Sequence, residues 1–208
     1  MFTKESHNHV THKWTPATWL AGLSTIPYRR QIMNIFLQRV HHLDTLAFLW
    51  VHVTKGFPYR RSVRLISHSG DGLLYFVIAF ALLMFEPHSG ADFFWAGVIA
   101  YLFDVSLYLL LKNLIKRDRP SVKISTYQAW ITPSDKFSFP SGHTAAAYLF
   151  ACMILYFYPL FALPCFIWAT AIGMSRVLLG VHYPSDLIAG ALLGSACAFW
   201  GIYLHSLL

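Results

Sequence analysis

Three short motifs hold the residues of this chain that could move a phosphoryl group. Lys112 is followed after six residues by Arg119 and Pro120. Pro140, Ser141, Gly142 and His143 stand in a row. Ser175 and Arg176 are followed after five residues by His182, and after three more by Asp186. Phosphoryl transfer requires cations and oriented donors around the equatorial oxygens, an in-line nucleophile, and an acid to protonate the leaving oxygen. Lys112, Arg119 and Arg176 supply the permanent charge, and the planar fork of arginine suits bidentate contact with phosphate.

The other residue types fill the remaining roles. Ser141 and Gly142 directly precede an apolar stretch, so the serine is expected to cap a helix whose N–H groups, with glycine allowing close approach, form an anion site. Pro184 favours the first helical position. That places His182 just before the last apolar stretch and Asp186 in its first turn. A carboxylate bonded to the imidazole fixes its tautomer and leaves the other ring nitrogen free to attack phosphorus. His182 is therefore the expected nucleophile. His143 is the expected acid, and later the base that activates water, so loss of either histidine should abolish turnover.

With their spacings intact, these motifs resemble the signature of the type 2 phosphatidic acid phosphatase and vanadium haloperoxidase superfamily, from Lys112 to Asp186. The surrounding apolar stretches resemble its small bacterial membrane branch, as does Ser69-Gly70-Asp71-Gly72 at the start of an apolar segment. The resemblance implies a helical bundle with its site at the membrane interface. It also implies a phosphohistidine at His182 and activity without a metal or other cofactor.

The elements that must position these residues are membrane spans. Of the 208 residues 56% are hydrophobic and 12% charged, against roughly 25% charged in a soluble domain, and mean hydropathy is +0.49. Crossing the hydrocarbon core takes about 20 apolar helical residues. Five segments approach that length: 63–85, 92–115, 142–158, 160–178 and 184–205. The expected fold is an all-α, multi-pass transmembrane bundle. Residues 1–42 form an N-terminal tail and amphipathic segment, and 43–208 the phosphatase domain. The segment 32–53 carries Arg39, His41, His42, Asp44 and His52, and reads as an interfacial helix or a tilted sixth span. No signal-peptide pattern stands in the first 30 residues, and Cys152, Cys165 and Cys197 read as buried packing residues.

The net charge is +7, and the basic residues sit beside apolar spans. Membrane lipids, rather than nucleic acid, are the expected partners. The connections 86–92 and 158–161 lack Lys and Arg, whereas 55–64 and 116–140 are rich in them. This bias turns the site's face to the cytoplasm of a cell (inner) membrane, although bacterial relatives acting on carrier lipids commonly face outward.

Plainer readings cover other residues. Lys116, Arg117 and Lys123 read as a positive flank at the headgroups, and Asp118 as a local charge partner. His7, His9 and His12 read as a solvated tail. Asp71 is a candidate to orient a site arginine, and Asp104 to satisfy a helix contact. Tyr127, Trp130, Trp95, Trp168 and Trp200 read as interfacial anchors. The expected activity is hydrolysis of a lipid phosphate or diphosphate monoester. Phosphatidic acid, phosphatidylglycerophosphate and undecaprenyl diphosphate or another polyprenyl phosphate are the substrate candidates, which the motifs do not separate. The rivals are a phosphotransferase on the same site, a vanadate-dependent haloperoxidase, and a non-catalytic lipid binder or transporter.

Overall fold

The structure, a computed structural model, describes residues 27–54, 59–124, 127–133 and 135–208, with side chains from residue 38 onward except those of 53 and 54. The expectations for His7, His9, His12 and the tail before residue 27 lie outside the described residues. The chain divides into two compact units, Met1–His42 and Leu43–Leu208. The site lies wholly in the second.

Every regular element among the described residues is helical. In chain order they are α1 (Pro27–Thr54), α2 (Arg60–His68), α3 (Leu73–Phe85), α4 (Gly90–Ile115), the single turn α5 (Pro120–Lys123), α6 (Gly142–Phe157), a 3-10 turn at Pro159–Phe161, α7 (Ala162–Leu178) and α8 (Pro184–His205). Three helical segments, Gly90–Lys123, Pro159–Leu178 and Pro184–His205, are long and apolar enough to cross a bilayer. The expected span 63–85 is instead a pair, α2 and α3, bent by 46°. The break falls at Ser69–Gly72, where Gly72 takes φ +78, a left-handed conformation that costs glycine little. The apolar α6 has 16 residues.

Small residues dictate the packing. Lipid tails are as apolar as leucine, so helices associate in a membrane where their backbones can approach closely. On α8, Gly190, Gly194 and Gly201 recur on one face. A Cβ on Gly194 would lie 2.0 Å from the Ala145 carbonyl oxygen of α6, and one on Gly201 would lie 2.5 Å from Ala100 of α4. Ala145, Ala146, Ala147 and Ala151 of α6 are correspondingly buried. Helices α6 and α8 thus form the centre, with α4 against both. Outward faces carry Phe76, Phe80, Leu110, Ile188, Leu192 and Phe199, a surface suited to lipid rather than water. Of the cysteines only Cys197 is buried; Cys152 and Cys165 are half-buried, because they sit where the bundle meets its apolar surroundings.

The connections are pinned by polar contacts at the helix ends. Between α3 and α4, Glu86 accepts the backbone N–H groups of His88 at 3.0 Å and Ser89 at 2.7 Å. These bonds occupy donors that the first turn of a helix leaves unpaired. At the other end of the bundle the C-termini of α4 and α7 meet the N-termini of α6 and α8. All three motifs lie there.

Candidate active site

A cavity of about 370 Å³ opens at that end, lined by Lys112, Arg119, Gly142, His143, Arg176 and His182 among others. Six of the eight residues expected from the sequence therefore share one wall. The other two, Ser141 and Asp186, are completely buried behind it. Each motif residue arrives from a helix end: Lys112 from the last turn of α4, His143 from the first turn of α6, Arg176 from the last turn of α7. His182 stands in the short link before α8, with Pro184 at the first turn of that helix.

His182 is buried, and its two nitrogens face different surroundings. Nδ1 lies 3.5 Å from Asp186 Oδ2, longer than a full hydrogen bond, with the carboxylate as its ion-pair neighbour. Nε2 faces Arg119 Nη1, also at 3.5 Å. A carboxylate can only accept, so a proton on Nδ1 is favoured and the lone pair is left on Nε2, facing the Arg119 guanidinium. Burial pushes the imidazole pKa down to about 4, with the Asp186 carboxylate opposing it. His182 is thus a neutral base at pH 7.

Asp186 is fixed from two more sides. Its Oδ2 accepts the Tyr183 N–H at 2.8 Å. Its Oδ1 accepts from Arg117 Nη1 at 2.7 Å, while Arg117 Nη2 donates to Asp44 Oδ2 at 2.6 Å. Asp44 in turn accepts the Ser185 N–H at 3.0 Å and also the Ser185 hydroxyl. Arg117 stacks on the Tyr183 ring at 4.2 Å. It was read as a headgroup anchor, and the structure corrects this: its guanidinium turns inward as the clamp behind Asp186. Lys116, beside it, is exposed. A run of basic residues on one loop does not reveal which of them points inward, and the sequence signal for Arg117 was masked by its neighbours.

The three motif cations also have partners. Lys112 Nζ donates to Asp135 Oδ2 and to the Tyr108 hydroxyl, both at 2.5 Å, and the Tyr108 hydroxyl donates to Asp135 at 2.6 Å. Arg119 pairs with Asp135 through Nη2 and gives Nη1 to the Val181 carbonyl at 2.6 Å. Burial alone would raise the Asp135 pKa, but the Lys112 and Tyr108 bonds and the Arg119 charge take it down to about 2. Asp135 is a firm anion, and no spacing in the long loop marked it. Asp118, expected as the local charge partner, is exposed and forms no ion pair among the described residues. Arg176 donates Nη1 to Ser67 at 2.6 Å, and its Nε is buried without a partner among the described residues.

Elsewhere in the cavity His143 Nε2 meets Asp71 Oδ1 at 2.8 Å, and Asp71 Oδ2 also takes His68 Nδ1 at 2.6 Å. Asp71 was expected to orient an arginine; it holds the second histidine instead. The break between α2 and α3 brings it there. Ser141 also departs from expectation. Its hydroxyl makes no cap bond to α6 but accepts from the Thr144 hydroxyl at 2.9 Å, one turn along the helix. The Ser141 N–H donates to the Asp186 carbonyl at 3.0 Å, tying the α6 start to α8. Among the described residues no three His, Cys, Asp or Glu side chains converge as a metal site.

Comparison with known proteins follows the same part of the chain. The model of the PAP2 superfamily matches residues 93–207. A lipid A 1-phosphatase of Rhizobium etli is 38% identical over 112 residues, covering 48% of this chain and 46% of that protein. A decaprenylphosphoryl-5-phosphoribose phosphatase of Mycobacterium tuberculosis is 32% identical over 139 residues, covering 64% of this chain and 73% of that protein. The chain spans just under half the length of the lipid A 1-phosphatases it matches. The crystal structure of a transmembrane PAP2-type phosphatidylglycerolphosphate phosphatase from Bacillus subtilis shares the fold, with a TM-score of 0.65 at 22% identity, covering 82% of this chain and 88% of that one.

Proposed function

This chain belongs to the PAP2 superfamily, and we propose on that footing that it is an integral membrane phosphatase that releases phosphate from a lipid through a phosphohistidine. The observation that carries the reading is a buried, neutral His182 whose Nε2 meets only the Arg119 guanidinium, at 3.5 Å, among the described residues. It lines one cavity with Lys112, Arg119, Arg176 and His143. Both curated relatives named above are phosphatases of lipid-borne phosphates, which supports the substrate class.

In this reading the three cations and the α6 N–H groups at Gly142 and His143 bind the phosphate oxygens. Ser141, buried behind them, ties the start of α6 to α8 through its N–H bond to the Asp186 carbonyl. His182 Nε2 attacks phosphorus while Asp186 stabilises the imidazolium that forms. His143 gives its proton to the leaving oxygen, then takes one from the water that cleaves the phosphohistidine. The substrate candidates remain phosphatidic acid, phosphatidylglycerophosphate and undecaprenyl diphosphate or another polyprenyl phosphate.

The bundle crosses the membrane five times if the bent α2–α3 pair counts as one crossing and α6, about 24 Å long at 1.5 Å per residue, as a short one. Helix ends then alternate, and every motif falls on one face. That face also carries Arg60, Arg61, Arg64, Lys116, Lys123 and Lys136, while 86–89 and 158–161 hold no Lys or Arg. The bias favours the cytoplasmic side of a cell membrane, even with Arg117 discounted as a clamp.

The test is phosphate release by the detergent-purified protein in EDTA from the three named lipids, with His182→Ala alongside. Release that vanishes in the variant is expected. No release from any of them by folded protein would overturn the reading.

A further inference from the structure

Beside the cationic cradle, around Tyr101 and Asp104, lies a stretch of wall that the phosphate chemistry does not use. The 370 Å³ cavity is lined by Asp71, Tyr101 and Asp104 as well as by the cradle. It shares Asp71, Gly72, Tyr101, Val105 and Ala146 with an adjoining apolar groove of about 530 Å³ between α3, α4 and α6. A lipid phosphate seated in the cradle, with a chain in or near that groove, must lay the atoms joining the two along this wall.

Asp104 is the unusual residue there. It is 4% exposed, lies within an apolar helix, and its Oδ1 has no hydrogen-bond partner among the described residues. No ion pair reaches the residue among them either. An unpaired buried polar group is costly, so the wall is incomplete without a donor or acceptor from elsewhere. Asp104 was expected to satisfy a helix contact, and it does not. It stands eight residues from Lys112 on the same helix, about 12 Å along the axis, with Tyr108 between them at the i, i+4 positions. That leaves room for a small polar group beyond the phosphate.

The charges lining this cavity limit what that group can be. Among the described residues the only Lys and Arg lining it are Lys112, Arg119 and Arg176, and all three belong to the cradle. A second phosphate directly linked to the first would move away from those cations toward Asp71 and Asp104, and like charges close together in a poorly solvated wall repel. A neutral hydroxyl there would instead meet an acceptor that lacks a partner.

Building on the phosphatase reading, we propose that Asp104 forms a head-group subsite for a hydroxyl of the substrate. The substrate class is then a lipid monophosphate whose phosphate is carried on a polyol or sugar, in preference to a diphosphate. The subsite is separate from the residues that touch the transferred phosphate. It selects the group to which that phosphate is attached.

The test compares kcat/KM for dioleoyl phosphatidylglycerophosphate with that for its deoxy analogue, in which the head-group glycerol has lost its free hydroxyl. The wild-type protein is expected to favour the hydroxylated lipid by about tenfold, the range of one hydrogen bond to an otherwise unpaired buried group. In Asp104→Leu the ratio should fall close to one. In Asp104→Asn, which keeps an acceptor oxygen and the shape, it should fall part of the way. The readout is a ratio, so a general loss of activity does not produce it, and the wild-type comparison stands even if the leucine variant fails to fold. Equal kcat/KM for the two lipids in the wild type, or an undiminished ratio in Asp104→Leu, would overturn the subsite while leaving the phosphatase reading intact. Release from neither lipid, nor from phosphatidic acid or undecaprenyl diphosphate, would instead overturn the phosphatase reading, and the subsite would fall with it.

Discussion

Arg117 offers the sharpest check on the site's construction, because the sequence groups it with Lys116 and the structure separates them. Arg117→Ala removes the shared cation of two carboxylates, Asp44 at 6% and Asp186 at 0% exposure, which it meets at 2.6 and 2.7 Å. Breaking a buried pair by deleting one partner costs about 3–5 kcal/mol, because the charge left behind is uncompensated. For a chain of this size each kcal/mol corresponds to roughly 2–4 °C, so the detergent melting midpoint should fall on the order of 10 °C. Lys116→Ala, at an exposed position, should stay within about 0.5 kcal/mol of wild type. Adding Asp44→Asn to Arg117→Ala removes one stranded charge and should recover part of the loss, a coupling that a double-mutant cycle reads directly. Arg117→Lys should fall between, keeping the charge but not the fork that spans both carboxylates. If Arg117→Ala and Lys116→Ala melt together, the clamp behind Asp186 does not exist as described.

Four further outcomes follow from the same geometry. Burial holds His182 near 4, and an attacking imidazole must be unprotonated. The acid limb of kcat/KM attributable to it should therefore lie near pH 4, and Asp186→Asn, which removes the carboxylate that favours the protonated form, should move it lower still; a limb near the ordinary 6.5 in the wild type would contradict a buried neutral nucleophile. Asp71→Asn replaces the carboxylate 2.8 Å from His143 Nε2 by a neutral amide and should lower kcat by about 10²-fold, with a changed basic limb in the pH profile; an unaltered profile would mean the Asp71 charge has no hold on that proton. Asp135→Ala frees Lys112 and Arg119 for an external anion, so vanadate should inhibit the variant several-fold more strongly, on the order of one charge-assisted hydrogen bond. Weaker inhibition would show that Asp135 aligns the cations rather than competing for them. Gly194→Leu places a side chain where even a Cβ would lie 2.0 Å from the Ala145 carbonyl; it should lose folded protein in detergent, since overpacking a tight contact costs about 1–3 kcal/mol or more.

The convergence of the motif cations and the two histidines on one cavity was legible because their spacing places each at a helix end, where an apolar run meets polar sequence. Lys112, Arg119, His143, Arg176 and His182 could be assigned to one site before any helix was placed. What the sequence hid were the partners. Asp44 and Asp135 come from separate segments and meet the motifs only after folding, so no local pattern announces them; Asp71 stood out in the sequence, but its partner, His143 rather than an arginine, did not. Arg117 was hidden for a different reason: among Lys116, Arg117, Arg119 and Lys123 the side chain that turns inward is decided by the loop, and Lys116 with φ 49 marks the turn that decides it. The break at Ser69–Gly72 was visible as a glycine pair, yet hydrophobicity alone ran the 63–85 segment through it. Ser141 followed the usual logic of a cap, but Thr144 stands one turn on and offers its hydroxyl a closer bond.

The charges of the site divide into two groups with different work to do. Arg117, Asp44 and Asp186 form a closed cluster whose members face one another, so a substrate gains nothing by entering it. Its effect is to keep the Asp186 carboxylate in place beside His182 whether or not phosphate is present. Lys112, Arg119 and Asp135 form an open cluster at the cavity wall, where Asp135 is 31% exposed at its side chain. There the cations already hold a carboxylate, and burying them without any anion would be costly. In the proposed reading a phosphate monoester would bring an anion of higher charge to the same donors, so binding would exchange one anion for another rather than fill bare charge. This is why the Asp135→Ala result is informative in both directions. Competition predicts tighter vanadate binding, alignment predicts weaker binding, and the two differ in sign rather than in size.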